Sequence, residues 1–398
     1  MLTRSNNGFR TGFPKGTPTF QDNDYRLTTL VFRHDRRTTV PSRSKSTVRL
    51  CLLLTITISL AAVRQSFSVE PTPIDEPFVD SDLIAARRIR KIVADGKHNA
   101  FTALVRWQNE FWLAFRKATD HGSMDGTITL LRSPDAETWR EALSLDVLAD
   151  DRDPQLLVTP SRLFLYSLNW TDNRQRLQSY VNFTDDGETW SDPQPAYDVE
   201  YFLWKPTTHE GRFYAGAHRR GSIEKRGTHL ITSSDAIHWD YVATIREGRG
   251  ESETTLLFQP AARLIAFVRN MTDLQGSIME SSPPYVEWSE RSAGFHLSGH
   301  SVHQFKGVTY VMSRHLDERA TTGRSVGGLS AGTMIYTYDQ GILQPYCLLP
   351  GRYDCSYTGA VQVGDEMLIS FYSSHTYPNW EEKNGPADIF LAWVPLKE

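Results

Sequence analysis

Short apolar runs separated by polar turns repeat along the chain from about residue 97 onward. Six stretches form an opening hairpin, in which two apolar strands flank a polar turn and the second strand ends in a charged or polar cluster. They cover residues 101–116, 155–170, 201–219, 253–269, 300–314 and 357–373. Short apolar runs bounded by turn residues are typical of β-strands, and no helix of normal length is apparent.

A seven-residue string follows most of these hairpins. It reads SPDAETW at 133–139, TDDGETW at 184–190 and SSDAIHW at 233–239, with weaker copies SPPYVEW at 282–288 and TYDQGIL at 337–343. The runs on both sides of each string are β-rich, which indicates a hairpin turn. In such a turn the Asp carboxylate and the Ser or Thr hydroxyl accept backbone N–H bonds, and the tryptophan packs back on the hairpin.

The period of about fifty residues predicts the fold. Two hairpins in each repeat give six four-stranded units, so we predict an all-β protein with a six-bladed β-propeller over residues 70–398. The last unit has one clear further strand, 389–394, and we expect residues 87–93 to supply its partner and close the ring. Trp139, Trp190, Trp239 and Trp288 are expected at equivalent outer positions of their blades.

The first 69 residues have a different composition. They carry eleven Lys/Arg and three Asp/Glu, a charge of +8, whereas the remainder of the chain sums to −12. Residues 50–63 are uncharged and follow Arg43, Lys45 and Arg49. A run of that length is short for a membrane span and suits the core of a secretion signal. We predict a signal peptide or membrane anchor at 50–69, and a disordered extension or an over-extended gene start at 1–49.

These features restrict location and partners. The protein is expected to be secreted or periplasmic, with membrane contact only if residues 50–63 remain as an anchor. The sequons at Asn169, Asn182 and Asn270 fit an exported protein. A charge of −12 disfavours nucleic acid, because neutralising phosphates requires surplus Lys and Arg. The three cysteines show no zinc-like spacing, so no metal site is predicted. No other cofactor is predicted, and the protein is expected to be a monomer.

In a propeller, the starts of the inner strands and the ends of the second strands meet at one mouth of the central channel. Four second strands end in arginine, namely Arg116, Arg219, Arg269 and Arg314. A ring of guanidinium groups suits a carboxylate, sulfate or phosphate, although Arg–Asp pairs also brace neighbouring blades. Asp120, Asp153 and Glu253 are available nearby as acid or base.

The repeated strings resemble the Asp-box, or BNR, repeat of the sialidase superfamily, and the resemblance extends from Lys97 to the C-terminus. Glu253 with Arg269 is similar to the sialidase glutamate and second arginine, and Arg314 falls where the third arginine is expected. The segment DCSYTG at 354–359 resembles the one that carries the tyrosine nucleophile. The segment 114–122 resembles the loop of the aspartic acid/base.

The resemblance implies a glycoside hydrolase that cleaves a terminal acidic sugar, sialic acid or a related one, from a glycan or glycoconjugate. Tyr357 would be the nucleophile, Glu253 its base and Asp120 the acid/base. The substrate-binding residues would be Arg116, Arg269, Arg314, His98 and Arg152. The first arginine of the family is absent, because its place reads His98-Asn99-Ala100-Phe101. The alternative is therefore a non-catalytic propeller that binds glycan or protein through the same mouth.

Export generates a prediction of its own. Because small residues suited to cleavage follow the apolar run, N-terminal sequencing of the natively produced protein should begin between about residues 62 and 70. A soluble cytoplasmic protein that keeps residues 1–49 would contradict this prediction.

Overall fold

The computed structural model describes residues 83–147, 150–171, 176–272, 275–316, 330–352, 354–377 and 385–398. These residues belong to one compact unit, Val69–Glu398. They form six four-stranded antiparallel sheets, with two short 3-10 turns at Ile223–Lys225 and Pro260–Ala262. No helix in this described part of the chain is long and apolar enough to cross a membrane. The extension and the signal or anchor predicted at 1–49 and 50–69 lie outside the described residues.

Each sheet is one blade of a six-bladed β-propeller, and the predicted all-β fold is confirmed. The innermost strands line the central channel; they are β2 (His98–Trp107), β6 (Asp150–Val158), β10 (Tyr201–His209), β14 (Glu251–Gln259), β18 (Ser301–Phe305) and β22 (Cys355–Val363). The second strands are β3 (Glu110–Ala118), β7 (Leu163–Thr171), β11 (Arg212–Arg219), β15 (Arg263–Asn270), β19 (Val308–Leu316) and β23 (Glu366–Ser373).

Two outer strands complete each blade. The third strands are β4 (Thr127–Ser133), β8 (Arg176–Thr184), β12 (Gly227–Ser233), β16 (Ser277–Ser281), β20 (Ser330–Asp339) and β24 (Asp388–Pro395). The outermost strands are β5 (Arg140–Leu145), β9 (Gln194–Pro195), β13 (Asp240–Glu247), β17 (Ser289–Ser292), β21 (Ile342–Pro350) and, in the last blade, β1 (Arg88–Val93).

Strand β1 closes the ring as the sequence predicted. It pairs antiparallel with β24, in a register that places Arg88 opposite Trp393 and Lys91 opposite Phe390. The guanidinium carbon of Arg88 lies 4.4 Å from the centre of the Trp393 ring, which adds a cation–π contact to the backbone pairing. The first described strand of the chain therefore completes the blade that the last strand leaves one short.

The hydrophobic core is divided into six clusters, and each cluster lies between two neighbouring blades. Between blades one and two, for example, Trp112 and Leu130 pack with Leu163 and Leu165, all of them buried. The other five clusters join the remaining pairs of blades in the same way. Because the apolar faces of each sheet are covered by its neighbours, the polar ends of the strands are left for the two mouths of the channel.

The repeated strings form the turns between the third and fourth strands, so the tryptophans do occupy equivalent outer positions. The fourth residue of every copy has a left-handed φ, namely Ala136, Gly187, Ala236, Tyr285 and Gln340. In the three best copies the Asp carboxylate accepts two backbone N–H bonds; Asp235 Oδ1 takes those of Ile237 and His238 at 2.8 Å each. The fourth copy has Pro284 in place of this aspartate.

The asparagines of the three sequons and two of the cysteines are buried inside the fold. Asn169, Asn182 and Asn270 are almost fully buried, and each side-chain amide donates a hydrogen bond inside the fold, so the folded chain does not offer these sequons for glycosylation. Cys347 and Cys355 are both buried and form no disulfide.

Candidate active site

Five inner strands, β2, β6, β10, β14 and β22, carry a β-bulge near their start. In four of them the bulge contains a residue with a left-handed φ: 60° at Phe101 in β2, 49° at Asp153 in β6, 42° at Lys205 in β10 and 52° at Tyr357 in β22. Such angles are uncommon outside glycine, and a bulge redirects its side chain. The ring of Phe101 lies 4.9 Å from that of Tyr357, and Asp153 interacts electrostatically with both Lys205 and Tyr357. The bulges therefore bring residues of four blades together at one mouth.

Tyr357 and Glu253 form the centre of this site. The Tyr357 hydroxyl donates a hydrogen bond of 2.7 Å to Glu253 Oε1 across the mouth, from β22 to β14. Arg269 Nη1, at the end of β15, donates to both carboxylate oxygens of Glu253, at 2.7 and 2.9 Å. Ser252 Oγ adds a bond of 3.1 Å to Oε2. Three residues that the sequence singled out are thus in direct contact.

This arrangement keeps Glu253 ionised and Tyr357 neutral. Burial by itself would raise the pKa of Glu253, but the charge and hydrogen bonds of Arg269, together with the Tyr357 hydroxyl, hold it well below its usual range. Burial and the Glu253 charge raise the pKa of Tyr357 well above its ordinary value. Glu253 is therefore a deprotonated acceptor of the hydrogen bond from the Tyr357 hydroxyl, and the proton stays on the tyrosine.

Arg314 belongs to a second buried network centred on Asp354. Arg314 Nη2 donates to Asp354 Oδ1 at 2.9 Å, and the Tyr372 hydroxyl donates to the same oxygen at 2.7 Å. The other carboxylate oxygen lies 3.0 Å from His98 Nε2 and 2.5 Å from His121 Nδ1. Burial opposes ionisation of Asp354, but His121, His98 and Arg314 keep its pKa well below the usual range. The Arg314 guanidinium carbon lies 5.6 Å from the ring centre of Tyr357.

Arg116 and Arg152 share one buried carboxylate, Asp150. Arg116 Nε donates to Asp150 Oδ1 at 2.7 Å, and Arg152 Nη1 donates to Oδ2 at 3.1 Å. The guanidinium carbon of Arg152 lies 5.0 Å from the centre of the Phe101 ring. Arg116 also donates to the backbone carbonyls of Asp120 and Ser123, at 3.0 and 2.9 Å. Arg152 thus borders the mouth, whereas Arg116 is fully buried and holds the loop that contains Asp120 and Ser123 in place.

The two candidate proton donors differ in position. The carboxylate of Asp120 accepts the backbone N–H of Gly122 at 2.6 Å, and no described contact connects it with Tyr357 or Glu253. Asp153 lies 3.4 Å from Arg152 Nε and interacts electrostatically with Glu253. Burial, opposed by Arg152 and assisted by Glu253, raises the pKa of Asp153 to about 6. Asp153 therefore has the environment expected of an acid that works near neutral pH.

His98 faces Asp354 across the mouth. With His121 it completes a group of three ligand atoms that all lie within 4.8 Å of one another, close enough to hold one metal ion. Asp354 Oδ1 accepts hydrogen bonds from Arg314 and Tyr372. Hydrogen bonds alone account for the contacts of Asp354 Oδ2 with His98 and His121. No pattern in the sequence indicated this group, because its members come from distant positions in blade one and at the start of β22.

Several residues of the mouth were not assigned a role from the sequence. Trp204 is fully buried with its ring 5.8 Å from that of Tyr357, and Phe101 covers another side of the same ring. Tyr372 binds Asp354, and His218 adjoins Glu253 electrostatically. The only sequence signal for Trp204 and Lys205 was their place at the start of an inner strand. Tyr372 and His218 lie near the ends of second strands, the region in which four blades carry an arginine.

The sequence matches no protein-family model and no curated protein. Solved structures do match it. An endosialidase of phage phi92 has a TM-score of 0.61 at 10% identity, over 78% of this chain and 69% of its own. The Trypanosoma rangeli sialidase with the inhibitor DANA has a TM-score of 0.58 at 12% identity, over 75% and 55% of the two chains. The α-L-arabinanase of Penicillium chrysogenum with arabinobiose has 0.55 at 12%, over 76% and 94%.

These similarities define the class of the fold. The chain forms a sialidase-like six-bladed β-propeller, an architecture that it shares with sialidases and an arabinanase. It spans about half the length of the trypanosomal sialidase, since the match covers 55% of that chain. At identities of 10–12% the likeness concerns the fold, and the chemistry of this chain has to be argued from its own residues.

The Asp354 network generates a prediction about stability. Asp354→Asn removes the only negative charge that contacts buried Arg314 in the described site, so unfolding by urea should show a loss of about 3 kcal/mol. Asp365→Asn is the matched control, because that carboxylate pairs with Lys306 on the surface. We expect no measurable change for the control. Equal stability of the two variants would show that Asp354 does not hold the mouth together.

Proposed function

We propose that this protein is an exported glycoside hydrolase of sialidase type, which removes a terminal acidic sugar from a glycan or glycoconjugate. The observation that carries the proposal is the 2.7 Å hydrogen bond from the Tyr357 hydroxyl to Glu253. A tyrosine held by an ionised carboxylate at the mouth of a propeller has the form of an activated nucleophile, in which the neighbouring base accepts the proton as the oxygen attacks.

The choice of tyrosine suits an acidic sugar. A sugar with a carboxylate at its anomeric carbon would repel an Asp or Glu nucleophile, whereas a neutral phenol avoids this repulsion, and sialidases are a known exception to the two-carboxylate rule. Arg269 and Arg314 lie on either side of the Tyr357–Glu253 pair. Their charges favour a substrate carboxylate next to the attacked carbon.

The reaction can be written with these residues alone. Tyr357 Oη bonds to the anomeric carbon while its proton passes to Glu253, and the bond from that carbon to the leaving oxygen breaks. An acid protonates the leaving oxygen. Its conjugate base later removes a proton from a water whose oxygen bonds to the anomeric carbon, while the bond from that carbon to Tyr357 Oη breaks and Glu253 returns its proton to the tyrosine oxygen. The resemblance to sialidases assigns this role to Asp120. The raised pKa of Asp153 and its place among the bulge residues favour Asp153.

The sugars bound in structures of similar fold support the proposed glycoside hydrolase. Structures of the Trypanosoma rangeli sialidase hold sialic acid in one case and a covalent intermediate with 2,3-difluorosialic acid in another. The same fold in the Penicillium chrysogenum arabinanase holds arabinobiose. Sugars are therefore bound by propellers of this shape, and we propose that a glycan is the partner of this one.

A second function has its own observation. Arg269 and Arg314 are each paired with an internal carboxylate, Glu253 and Asp354 respectively, and the family's first arginine is replaced by His98. A mouth with such neutralised arginines would favour a propeller that binds glycan or protein without turnover. Measurable glycan binding with no hydrolysis of any acidic glycoside would establish this alternative.

The nucleophile is tested by removing one oxygen. Tyr357→Phe keeps the ring and its packing, so the fold should remain, while turnover of acidic chromogenic glycosides should fall by at least about 10³-fold. Glu253→Gln should do nearly the same, and the double variant should be little worse than either single one because the pair acts as a unit. A panel of sialosides, uronides and neutral glycosides measures the effect.

The matched control is Tyr377→Phe. That hydroxyl also donates to a carboxylate, Asp388, but at the outer strands of the last blade. Its removal should leave turnover unchanged. Activity that survives Tyr357→Phe at the level of the control would exclude a tyrosine nucleophile.

The proton donor is tested by the pH profile of kcat/KM. An acid with a pKa of about 6 is protonated below that pH, so the rate should fall as pH rises through about 6 if Asp153 is the donor. Asp153→Asn should then lower the rate and remove this alkaline limb. If Asp120 is the donor, Asp120→Asn should lower the rate instead, and Asp153→Asn should leave it nearly unchanged.

A further inference from the structure

A pocket separate from the Tyr357–Glu253 contact opens beside it, at the same mouth of the channel. It has a volume of 160 Å³, about five times that of a water molecule in the liquid. The end of β7 contributes Trp170, the start of β10 contributes Phe202, and the end of β11 contributes His218 and Arg219. Arg220 and Arg226, from the loop that follows β11, complete the wall. We call this space the arginine–aromatic pocket.

One side of the pocket is aromatic. The rings of Phe202 and His218 are stacked, with centroids 4.5 Å apart and an angle of 8° between their planes. Trp170 stands at 71° to Phe202, at a centroid distance of 5.9 Å, so the two form a corner. Flat ring faces at a right angle offer contact area to a planar or ring-shaped group at little entropic cost.

The other side is cationic and lacks internal counter-ions. No described carboxylate forms an ion pair with Arg219, Arg220 or Arg226, whereas the arginines of the main site are paired with Glu253, Asp354 and Asp150. The guanidinium carbon of Arg220 lies 4.2 Å from the centre of the Trp170 ring, and Arg226 Nε donates to the carbonyl of Gly221. These contacts orient the two guanidinium groups and leave their charges uncompensated.

The single carboxylate in the wall is already engaged. Glu251 is fully buried, accepts the backbone N–H of Arg249 and lies 3.5 Å from Arg246 Nη1. Its charge is therefore balanced by Arg246 and not by the three arginines of the pocket. In a protein whose residues 70–398 sum to −12, three unpaired arginines around one cavity are a local exception.

His218 gives an independent indication of a ligand. It is only 7% exposed, and its Nδ1 atom is buried without a hydrogen-bond partner among the described residues. Burial lowers the pKa of His218 to about 4, so the ring is neutral at physiological pH. A buried polar atom without a partner is costly, and a group bound in the pocket could complete it.

The pocket adjoins the proposed reaction centre. Ser252, which lines it, donates to Glu253 Oε2, and the Trp204 ring lies between His218 and Tyr357 at 6.1 and 5.8 Å from them. We propose that the arginine–aromatic pocket is a second subsite, which binds an anionic group (a carboxylate or a sulfate ester) on the sugar residue next to the one that is cleaved. This inference rests on the proposed function, since it concerns the same substrate.

The test measures binding with matched probes that carry one or two anionic groups. These are the monomer and dimer of sialic acid and of galacturonic acid, together with a sulfated monomer, titrated calorimetrically into the Tyr357→Phe protein so that no probe is consumed. The dimer of the preferred acid should bind at least ~10-fold more tightly than its monomer, as expected for one further charge-assisted contact. A gain with the sulfated monomer alone would place the second anion on the cleaved sugar and overturn the proposal as stated.

Arg220→Ala and Arg226→Ala, made in the same background, should reduce the advantage of the dimer to twofold or less. Arg212→Ala is the control, because Arg212 is exposed at the opposite end of β11, where it donates to Thr232. It should keep the full advantage. Thermal unfolding verifies that all three variants fold.

The outcomes separate the two proposals. Equal binding of monomer and dimer, or a dimer advantage that both arginine variants retain, overturns the second subsite and leaves the proposed hydrolase intact. A dimer advantage that depends on Arg220 and Arg226, combined with no turnover by the wild-type protein, supports the subsite and refutes the hydrolase.

Discussion

Buried charge is the constraint on which the mouth of this propeller depends. The starts of the inner strands and the ends of the second strands place ionisable groups in a buried region. There the buried carboxylates of Glu253, Asp354 and Asp150 are each paired with arginine. Glu253 has Arg269, Asp354 has Arg314, and Asp150 has both Arg116 and Arg152. The last two sets join neighbouring blades, so the electrostatics of the site also fix the blades relative to one another.

The fold could be predicted from the sequence because its signal is periodic and local. The repeated turn needs an aspartate, a hydroxyl and a residue that tolerates a left-handed φ, and all three are visible as residue types. Ring closure by β1 also followed from a simple count, since the last blade lacked a strand. The six clusters of the core follow from this architecture, because the apolar faces of adjacent blades pack on one another.

The site could be predicted only in part. Tyr357, Glu253 and Arg269 were identified through their resemblance to a known arrangement, and the structure brings them into contact. The bulges that turn Phe101, Asp153 and Lys205 toward the mouth leave no mark in the sequence, because a bulge is defined by pairing with another strand. The contact of His98 and His121 with Asp354 was equally invisible, because it joins residues more than 230 positions apart in the chain.

The pairing of β1 with β24 has a kinetic consequence. Of the described strands, β1 leaves the ribosome first and β24 last, so the outer edge of the final blade stays open until β24 has been synthesised. The loop closed by that pairing spans nearly the whole domain, and contacts of such sequence separation form late and slowly. Blades one to five can assemble on the nascent chain, while the sheet that bears Tyr357 is completed only after β24 has been synthesised. Tyr357, the proposed nucleophile, is thus in the blade that is completed last.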